Sequence, residues 1–340
     1  MKEILFQFGL SAENFHVMPF GSGLINATWK IADVQGEPKY ILQKINQQIF
    51  KKPGDIAFNI RFIDNYLKTH FSDYLFVSPV VGIRGDDIVN IDEGYYRMFP
   101  FVAKSHTVDV LEKPQQAYEA ASQFGKFTKL LSGLDVTQLR ITLPDFHNLP
   151  LRYQQFENAL ETGNPERIAQ SKDLIAAIKQ NKRIVKDFEL CKAKCKLRVT
   201  HHDTKISNVL FDENEKGLCV IDLDTLMPGY FISDVGDMMR TYLCPVSEEE
   251  KDFSKIIIRK EFYDAILDGY LSEMGAELSD IEKRYFNYAA EFMTYMQAIR
   301  FLTDHLNNDS YYGAKYERHN FVRAGNQITL LHRLQEFISG

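Results

Sequence analysis

Four polar residues in one short stretch could carry chemistry. His201, Asp203, Lys205 and Asn208 are spaced H-x-D-x-K-x-x-N, and the apolar run Val209-Leu210-Phe211 follows. After a turn at 214–217, Leu218-Cys219-Val220-Ile221 runs into two carboxylates, Asp222 and Asp224. Such a set suits the movement of a phosphoryl group. One carboxylate orients or accepts the proton of an attacking hydroxyl, while an amide oxygen and a second carboxylate hold magnesium, which demands hard oxygen ligands. The pattern gives Asp203 the base position and makes Asn208 and Asp222 the metal ligands. Lys205 would balance charge on the transferring group. His201 is expected to hold the loop through a hydrogen bond. The bland alternative is a surface turn in which these side chains satisfy the backbone. The full spacing, with strand-Asp-x-Asp after it, favours chemistry.

The elements around this stretch fall into two regions. Up to about residue 102 the pattern is mostly strand, turn and strand. Gly21-Ser22-Gly23 lies between residues 17–20 and Ala27-Thr28-Trp29-Lys30-Ile31-Ala32, and the turn Gln35-Gly36-Glu37-Pro38 leads to a third strand ending near Lys44. This reads as an antiparallel meander. Pro53 opens a helix with Ile56, Ile60, Ile63 and Leu67 at helical spacing. Short strands are expected at 77–81, 88–91 and 95–101. Beyond residue 103 the pattern turns helical, with one helix at 114–131 and a longer one from Pro165 to about Lys192. The sequence therefore predicts an α+β chain with a lobe at 1–102 and a second at 103–340.

Composition bounds the function. With 45% hydrophobic and 25% charged residues in a chain of 340, a sizeable core can form and disorder is excluded as the main state. A net charge of -6 argues against a non-specific nucleic-acid binder, which needs a basic surface. Cys191, Cys195, Cys219 and Cys244 form no C-x-x-C pair, so a disulfide scaffold or zinc site is not expected. Without an apolar stretch of about 18 residues, the expectation is a soluble cytoplasmic protein with no membrane partner. The basic run Lys192, Lys194, Lys196, Arg198 reads as a solvated face near a helix end. Oligomeric state is not legible.

Taken together, these residues resemble the aminoglycoside phosphotransferase and choline kinase group, over almost the whole chain. Within that group the chain is most similar to the bacterial N-acetylhexosamine 1-kinases. The resemblance rests on Thr200-His201-His202-Asp203-Thr204-Lys205 and on Val220-Ile221-Asp222-Leu223-Asp224-Thr225-Leu226-Met227-Pro228-Gly229. Ser233-Asp234-Val235-Gly236-Asp237-Met238-Met239-Arg240 and Arg300-Phe301-Leu302-Thr303-Asp304 extend it. His202 departs from the asparagine of the sugar-kinase branch. The resemblance implies a protein-kinase-like two-lobed fold, with an antiparallel-sheet N-lobe and a mainly helical C-lobe. It also implies ATP and Mg²⁺ as cofactors. Gly21, Ser22 and Gly23 would cover the phosphates with backbone N–H groups, although a plain hairpin turn uses the same residues. Lys44 is the candidate for the third-strand lysine of kinases. Alternation puts Leu42 and Lys44 on one face and Gln43 on the other, and which of the two polar residues faces phosphate stays open. The following helix has no Glu, and Asp55 and Asn59 are its nearest polar substitutes. Residues 95–102 resemble the inter-lobe hinge.

The acceptor side is read from the helix after Ser279. Ser279-Asp280-Ile281-Glu282 fits a capping box. The stripe Tyr285, Ala289, Phe292, Met296 then carries Arg300 onto the inward face. An inward arginine must be paired, for example with Asp237, or must hold a ligand. The resemblance implies that Arg300 and Tyr311 reach sugar hydroxyls, with Asp203 at the anomeric one; for Tyr311 core packing is the alternative. No A-P-E follows Asp222, which leaves little room for a protein substrate. Asp234 and Asp237 are expected to organise the loop. The expectation is a kinase of N-acetylglucosamine or N-acetylgalactosamine. Its rivals are a kinase of choline, an amino alcohol or an aminoglycoside, and a non-catalytic kinase-like binding module.

Overall fold

The computed structural model describes residues 1–21 and 25–340. The fold is α+β and divides into two compact units. The first takes in 1–107, 133–144 and 209–228; the second takes in 108–132, 145–208 and 229–340. Segments well beyond residue 103 thus return to the first unit.

The first unit opens with a short helix, α1 (Lys2–Gln7), and then builds a five-stranded antiparallel sheet. Its strands are β1 (Phe15–Pro19), β2 (Ala27–Asp33), β3 (Pro38–Lys44), β4 (Val89–Ile91) and β5 (Gly94–Pro100), in the order β1-β2-β3-β5-β4. The register pairs Leu42 with Trp29 and Met98, and Gln43 with Thr28 and Arg97. One face is apolar: Ile31, Leu42 and Met98 are covered there by Ile4, Leu5 and Phe8. The helix at α1 is too short to leave a period in the sequence. Residues 77–81, expected as a strand, join no ladder, although Val80 N–H donates to the Met98 carbonyl at 2.7 Å.

Helix α2 (Pro53–His70) begins at its proline and buries Ile56, Ile60, Ile63 and Leu67 as their spacing predicts. Asn59 is buried among them. Its Nδ2 donates to the carbonyls of Arg140 (2.8 Å) and Leu226 (2.7 Å), and its Oδ1 accepts the Arg140 N–H at 2.8 Å. A buried amide satisfied in this way ties the two late segments to α2. The second of these segments contains the hairpin of Val209–Phe211 and Gly217–Val220.

The second unit is helical. It holds α3 (Pro114–Leu130), α4 (Leu149–Thr162), α5 (Pro165–Gln170), α6 (Lys172–Gln180) and α7 (Arg183–Lys194), then α8 (Phe231–Tyr242), α9 (Lys260–Met274), α10 (Asp280–Lys283), α11 (Phe286–Leu306) and α12 (His319–Ser339). The single helix expected from Pro165 to about Lys192 is three helices. The breaks fall at Ser171 and Asn181; at the second, a short polar side chain competes for a backbone partner, Asn181 Nδ2 donating to the Ala177 carbonyl at 3.0 Å. Helix α11 is buried along nearly its whole length, with α4, α8 and α12 packed around it.

The capping box at Ser279 is present, but it starts only the one-turn α10. Glu282 does more than cap, since its carboxylate meets the Arg198 guanidinium at 3.1 Å with both side chains buried. Arg198 therefore belongs to a buried ion pair and not to the solvated basic run predicted from sequence. Helices α8 and α11 approach most closely at Gly236, where an added Cβ would collide with the Ala289 carbonyl oxygen and crowd the Met293 side chain. That approach seats Asp234 and Asp237 on either side of the glycine. Gly236→Ala should destabilise the fold by about 1–3 kcal/mol through overpacking, read as a lower denaturant midpoint.

Candidate active site

In the second unit the strand Arg198–Thr200 delivers a tightly held loop. His201 is buried, with its ring edge-on to Phe124 at 5.1 Å. His202 takes a left-handed conformation (φ 67°), which a non-glycine residue adopts only where surroundings hold it. Asp234 supplies that hold: its two carboxylate oxygens accept the N–H groups of His201 (3.0 Å) and His202 (2.7 Å). Thr204 is pinned next. Its N–H donates to Asp237 Oδ2 (2.9 Å), its hydroxyl donates to the Asp234 carbonyl (2.9 Å), and its own carbonyl accepts from Tyr242 OH (2.5 Å).

Asp203 lies between these anchors, with its side chain 20% exposed. Lys205 Nζ stands 3.1 Å from Asp203 Oδ1, and the Asp203 carboxylate raises the lysine pKa above its ordinary value. The ammonium remains charged at neutral pH. Asn208 donates through Nδ2 to the Asp203 carbonyl at 2.9 Å. This fixes the amide's orientation and leaves Oδ1 without a donor among the described residues. A fixed, unclaimed amide oxygen has the hard-donor chemistry magnesium requires.

Behind the loop runs a chain of alternating charge. Arg240 pairs with Asp237 Oδ1 (3.1 Å) and with Glu248 Oε2 (2.9 Å), and Glu248 also pairs with Arg323. Burial pushes Asp237 up against the pull of Arg240. Burial also opposes ionisation of Glu248, but Arg240 and Arg323 together hold it below its ordinary value. Arg323 lies 3.7 Å from the Phe301 ring centroid and 5.3 Å from that of Tyr312.

That chain ends beside a cavity of about 380 Å³ within the second unit. Arg152, Arg300, Thr303, Asp304, Tyr311 and Tyr312 line it. Arg300 does not pair with Asp237, whose partner is Arg240. Its guanidinium donates to Gln297 Oε1 at 3.2 Å and sits 5.4 Å from the Tyr312 ring and 6.0 Å from the Tyr311 ring. Tyr311 is 73% exposed, which removes core packing as its role. Asp304 shapes this wall by accepting the N–H groups of Tyr311 (2.7 Å) and Tyr312 (2.9 Å). Sequence reasoning missed Arg152 and Tyr312. Nothing in the periodicity of α4 marks Arg152, and Tyr312 is adjacent to the residue that was chosen.

In the first unit, Asp222 is exposed at the end of its strand in a left-handed conformation (φ 60°). Asp224 is buried; it pairs with Arg97 and accepts from Asn26 Nδ2 at 2.8 Å. Gln43 Oε1 accepts from Arg97 Nε (3.0 Å) and Nη2 (2.8 Å). The sheet thus places Gln43, not Lys44, on the face shared with Arg97 and Asp224. Lys44 extends on the Leu42 face, 5.7 Å from the Tyr96 ring, without a carboxylate partner among the described residues. The polar substitutes on α2 are engaged elsewhere, Asp55 with Arg140 at 3.0 Å and Asn59 with backbone. Gly21 is exposed with a positive φ of 81°; Ser22 and Gly23, expected beside it in the phosphate turn, lie outside the described residues.

Comparison with known proteins bears on the family and the fold. The model of the APH phosphotransferase enzyme family matches residues 16–280, and the chain belongs to that family. The matched stretch contains Lys44, Asp203, Lys205, Asn208 and Asp222, while Arg300 and Tyr311 lie beyond it. Among solved structures, a microcompartment-associated aminopropanol kinase is 14% identical with a TM-score of 0.66, over 99% of this chain and 96% of that one. An amicoumacin kinase, in complex with AMP-PNP, Ca²⁺ and Ami, is 15% identical with a TM-score of 0.63, over 98% of this chain and 92% of that one. Choline kinase from Cryptosporidium parvum is 13% identical with a TM-score of 0.58, over 97% and 92%. The chain is a small-molecule phosphotransferase of the aminoglycoside phosphotransferase and choline kinase type, with the protein-kinase-like α+β fold of that group. No helix among the described residues is long and apolar enough to cross a membrane.

The loop anchor is itself titratable. Burial pushes Asp234 up to about 7, against the two N–H groups that favour its charged form. A carboxyl whose folded pKa lies above its ordinary 3.8 contributes stability that is complete below that value and is lost as pH rises through about 7. Stability should therefore fall between pH 4 and pH 7 more steeply in the wild type than in Asp234→Asn. Parallel denaturant titrations across that window, with matching slopes, would refute this assignment.

Proposed function

We propose that this chain is an ATP- and Mg²⁺-dependent kinase that phosphorylates the anomeric hydroxyl of N-acetylglucosamine or N-acetylgalactosamine. The observation that carries the reading is that one unit holds both a tightly anchored Asp203–Lys205–Asn208 loop and a polar and aromatic cavity bearing Arg300. A guanidinium without a carboxylate partner suits an acceptor rich in hydroxyl oxygens and disfavours a cationic one such as choline, for which an aromatic cage or carboxylates would be expected.

In this reading Asp203 accepts a hydrogen bond from the acceptor hydroxyl and receives its proton as the oxygen attacks the γ-phosphorus and ADP departs. Lys205, charged and 3.1 Å from Asp203, lowers the cost of negative charge on the transferring group. Asn208 and Asp222 would hold the magnesium, which when bound neutralises phosphate charge. The strand position facing the nucleotide falls to Gln43, backed by Arg97, while Lys44 lies on the opposite face of that strand. Arg300 and Tyr311 would meet the sugar hydroxyls. A cytoplasmic setting, where ATP is made and the four cysteines stay reduced, fits this activity.

ADP release should be seen with Mg-ATP and N-acetylglucosamine or N-acetylgalactosamine, with an anomeric phosphate signal in the ³¹P spectrum of the product. Turnover confined to choline, aminopropanol or kanamycin would discard the sugar reading and keep the phosphotransfer mechanism. Asp203→Asn should lower kcat by roughly 10²–10⁴-fold, the usual contribution of a positioned base, while Mg-ATP still raises its melting temperature. Near-normal turnover in that variant would remove Asp203 from the base role.

A further inference from the structure

We infer that the acceptor carries an anionic substituent, bound by Arg152 together with Arg300; this rests on the sugar reading above and narrows it to acidic N-acetylhexosamines. The two guanidiniums line the same cavity from different helices, Arg152 on α4 and Arg300 on α11. Neither meets a carboxylate among the described residues. Arg152 donates to Gln155 Oε1 (3.0 Å) and to the Asp145 backbone carbonyl (2.8 Å); Arg300 donates to Gln297 Oε1 (3.2 Å). The buried Nε–H of Arg152 finds no acceptor among the described residues, and neither does the buried hydroxyl of Thr303 on the same cavity wall.

The one acid on the wall, Asp304, pairs with neither guanidinium among the described residues. Asp304 has both oxygens committed, to Tyr311 N–H and to Tyr312 N–H and Asn320 Nδ2 (3.1 Å). The cost of the unpaired charge is visible in Arg152: burial and then the Arg300 charge lower its pKa. Elsewhere in this unit, the buried Arg198 and the largely covered Arg240 and Arg323 each have a carboxylate. Two unpaired guanidiniums facing one polar cavity form a receptor for a carboxylate, sulfate or phosphate, because a ligand anion restores the balance that the fold withholds.

The test compares N-acetylglucosamine with its 6-sulfate, its 6-phosphate and the corresponding 6-carboxylate (the uronic acid), by kcat/KM and by calorimetric titration of the full chain. At least one charged sugar should be preferred by about tenfold or more, and high salt should shrink the preference. Which arm leads separates a planar carboxylate from a tetrahedral oxyanion. The ratio of charged to neutral kcat/KM should collapse toward one in Arg152→Gln and survive in Arg152→Lys, which keeps the charge. Equal melting temperatures of the two variants guard against a folding defect. Phosphorylation of N-acetylhexosamines without preference for a charged one would overturn the inference and leave the sugar reading standing, as would a preference that persists in Arg152→Gln. Absence of turnover with every sugar, neutral or charged, would overturn both.

Discussion

The carboxylate of Asp234, buried at the start of α8, holds the backbone that presents Asp203. By accepting the N–H groups of His201 and His202 it sustains the left-handed turn at His202, and that turn aims the next residue outward. Without such a partner the two N–H groups would be buried and unsatisfied, at about 1–3 kcal/mol each. The seat of Asp234 depends in turn on Gly236, because α8 can lie against α11 only where no Cβ intervenes. Helix packing, loop conformation and the position of Asp203 are therefore one mechanical unit.

Charge in this unit is arranged in pairs that relay outward from the loop. Asp203 with Lys205, Asp237 with Arg240, and Glu248 with Arg240 and Arg323 each offset a charge that burial would otherwise penalise. The pairing stops at the cavity wall, where Arg152 and Arg300 have only neutral partners. A protein interior tolerates such a departure where an incoming ligand completes it. The family match ends at residue 280, so Asp203, Lys205, Asn208 and Asp222 lie within it and Arg300 and Tyr311 lie beyond it.

Much of the fold was legible. The meander, the proline-started α2 and α3 and the capping box at Ser279 follow from alternation, from fixed proline φ and from local capping, all properties of a few neighbouring residues. The spacing of His201, Asp203, Lys205 and Asn208 also marks one loop by itself, and Asp234 and Asp237 organise it as expected. The misreadings share a cause. Arg198 looks like part of a basic surface run because Glu282, which neutralises it, is far away in sequence. Ser171 and Asn181 end helices whose apolar period runs on through them. Arg300 was placed inward by helical period, but its escape from Asp237 depends on Arg240 taking that carboxylate first.

What the sequence determined by itself is the set of chemical groups and their local order: a carboxylate, a lysine two residues on, an amide three further, and the strand that ends in two acids. Tertiary structure decided which of those groups are buried and which distant partners they meet. It buried Asp224 against Arg97 and Asn26 and left Asp222 exposed. It set Gln43 against Arg97 and Lys44 near the Tyr96 ring, and it brought Arg152 of α4 and Arg300 of α11 to one cavity, neither with a carboxylate partner among the described residues. The physical reason is that pairing and burial are long-range properties. A carboxylate's reach is a few ångströms in space, and the sequence distance between its partners says nothing about which guanidinium will arrive first.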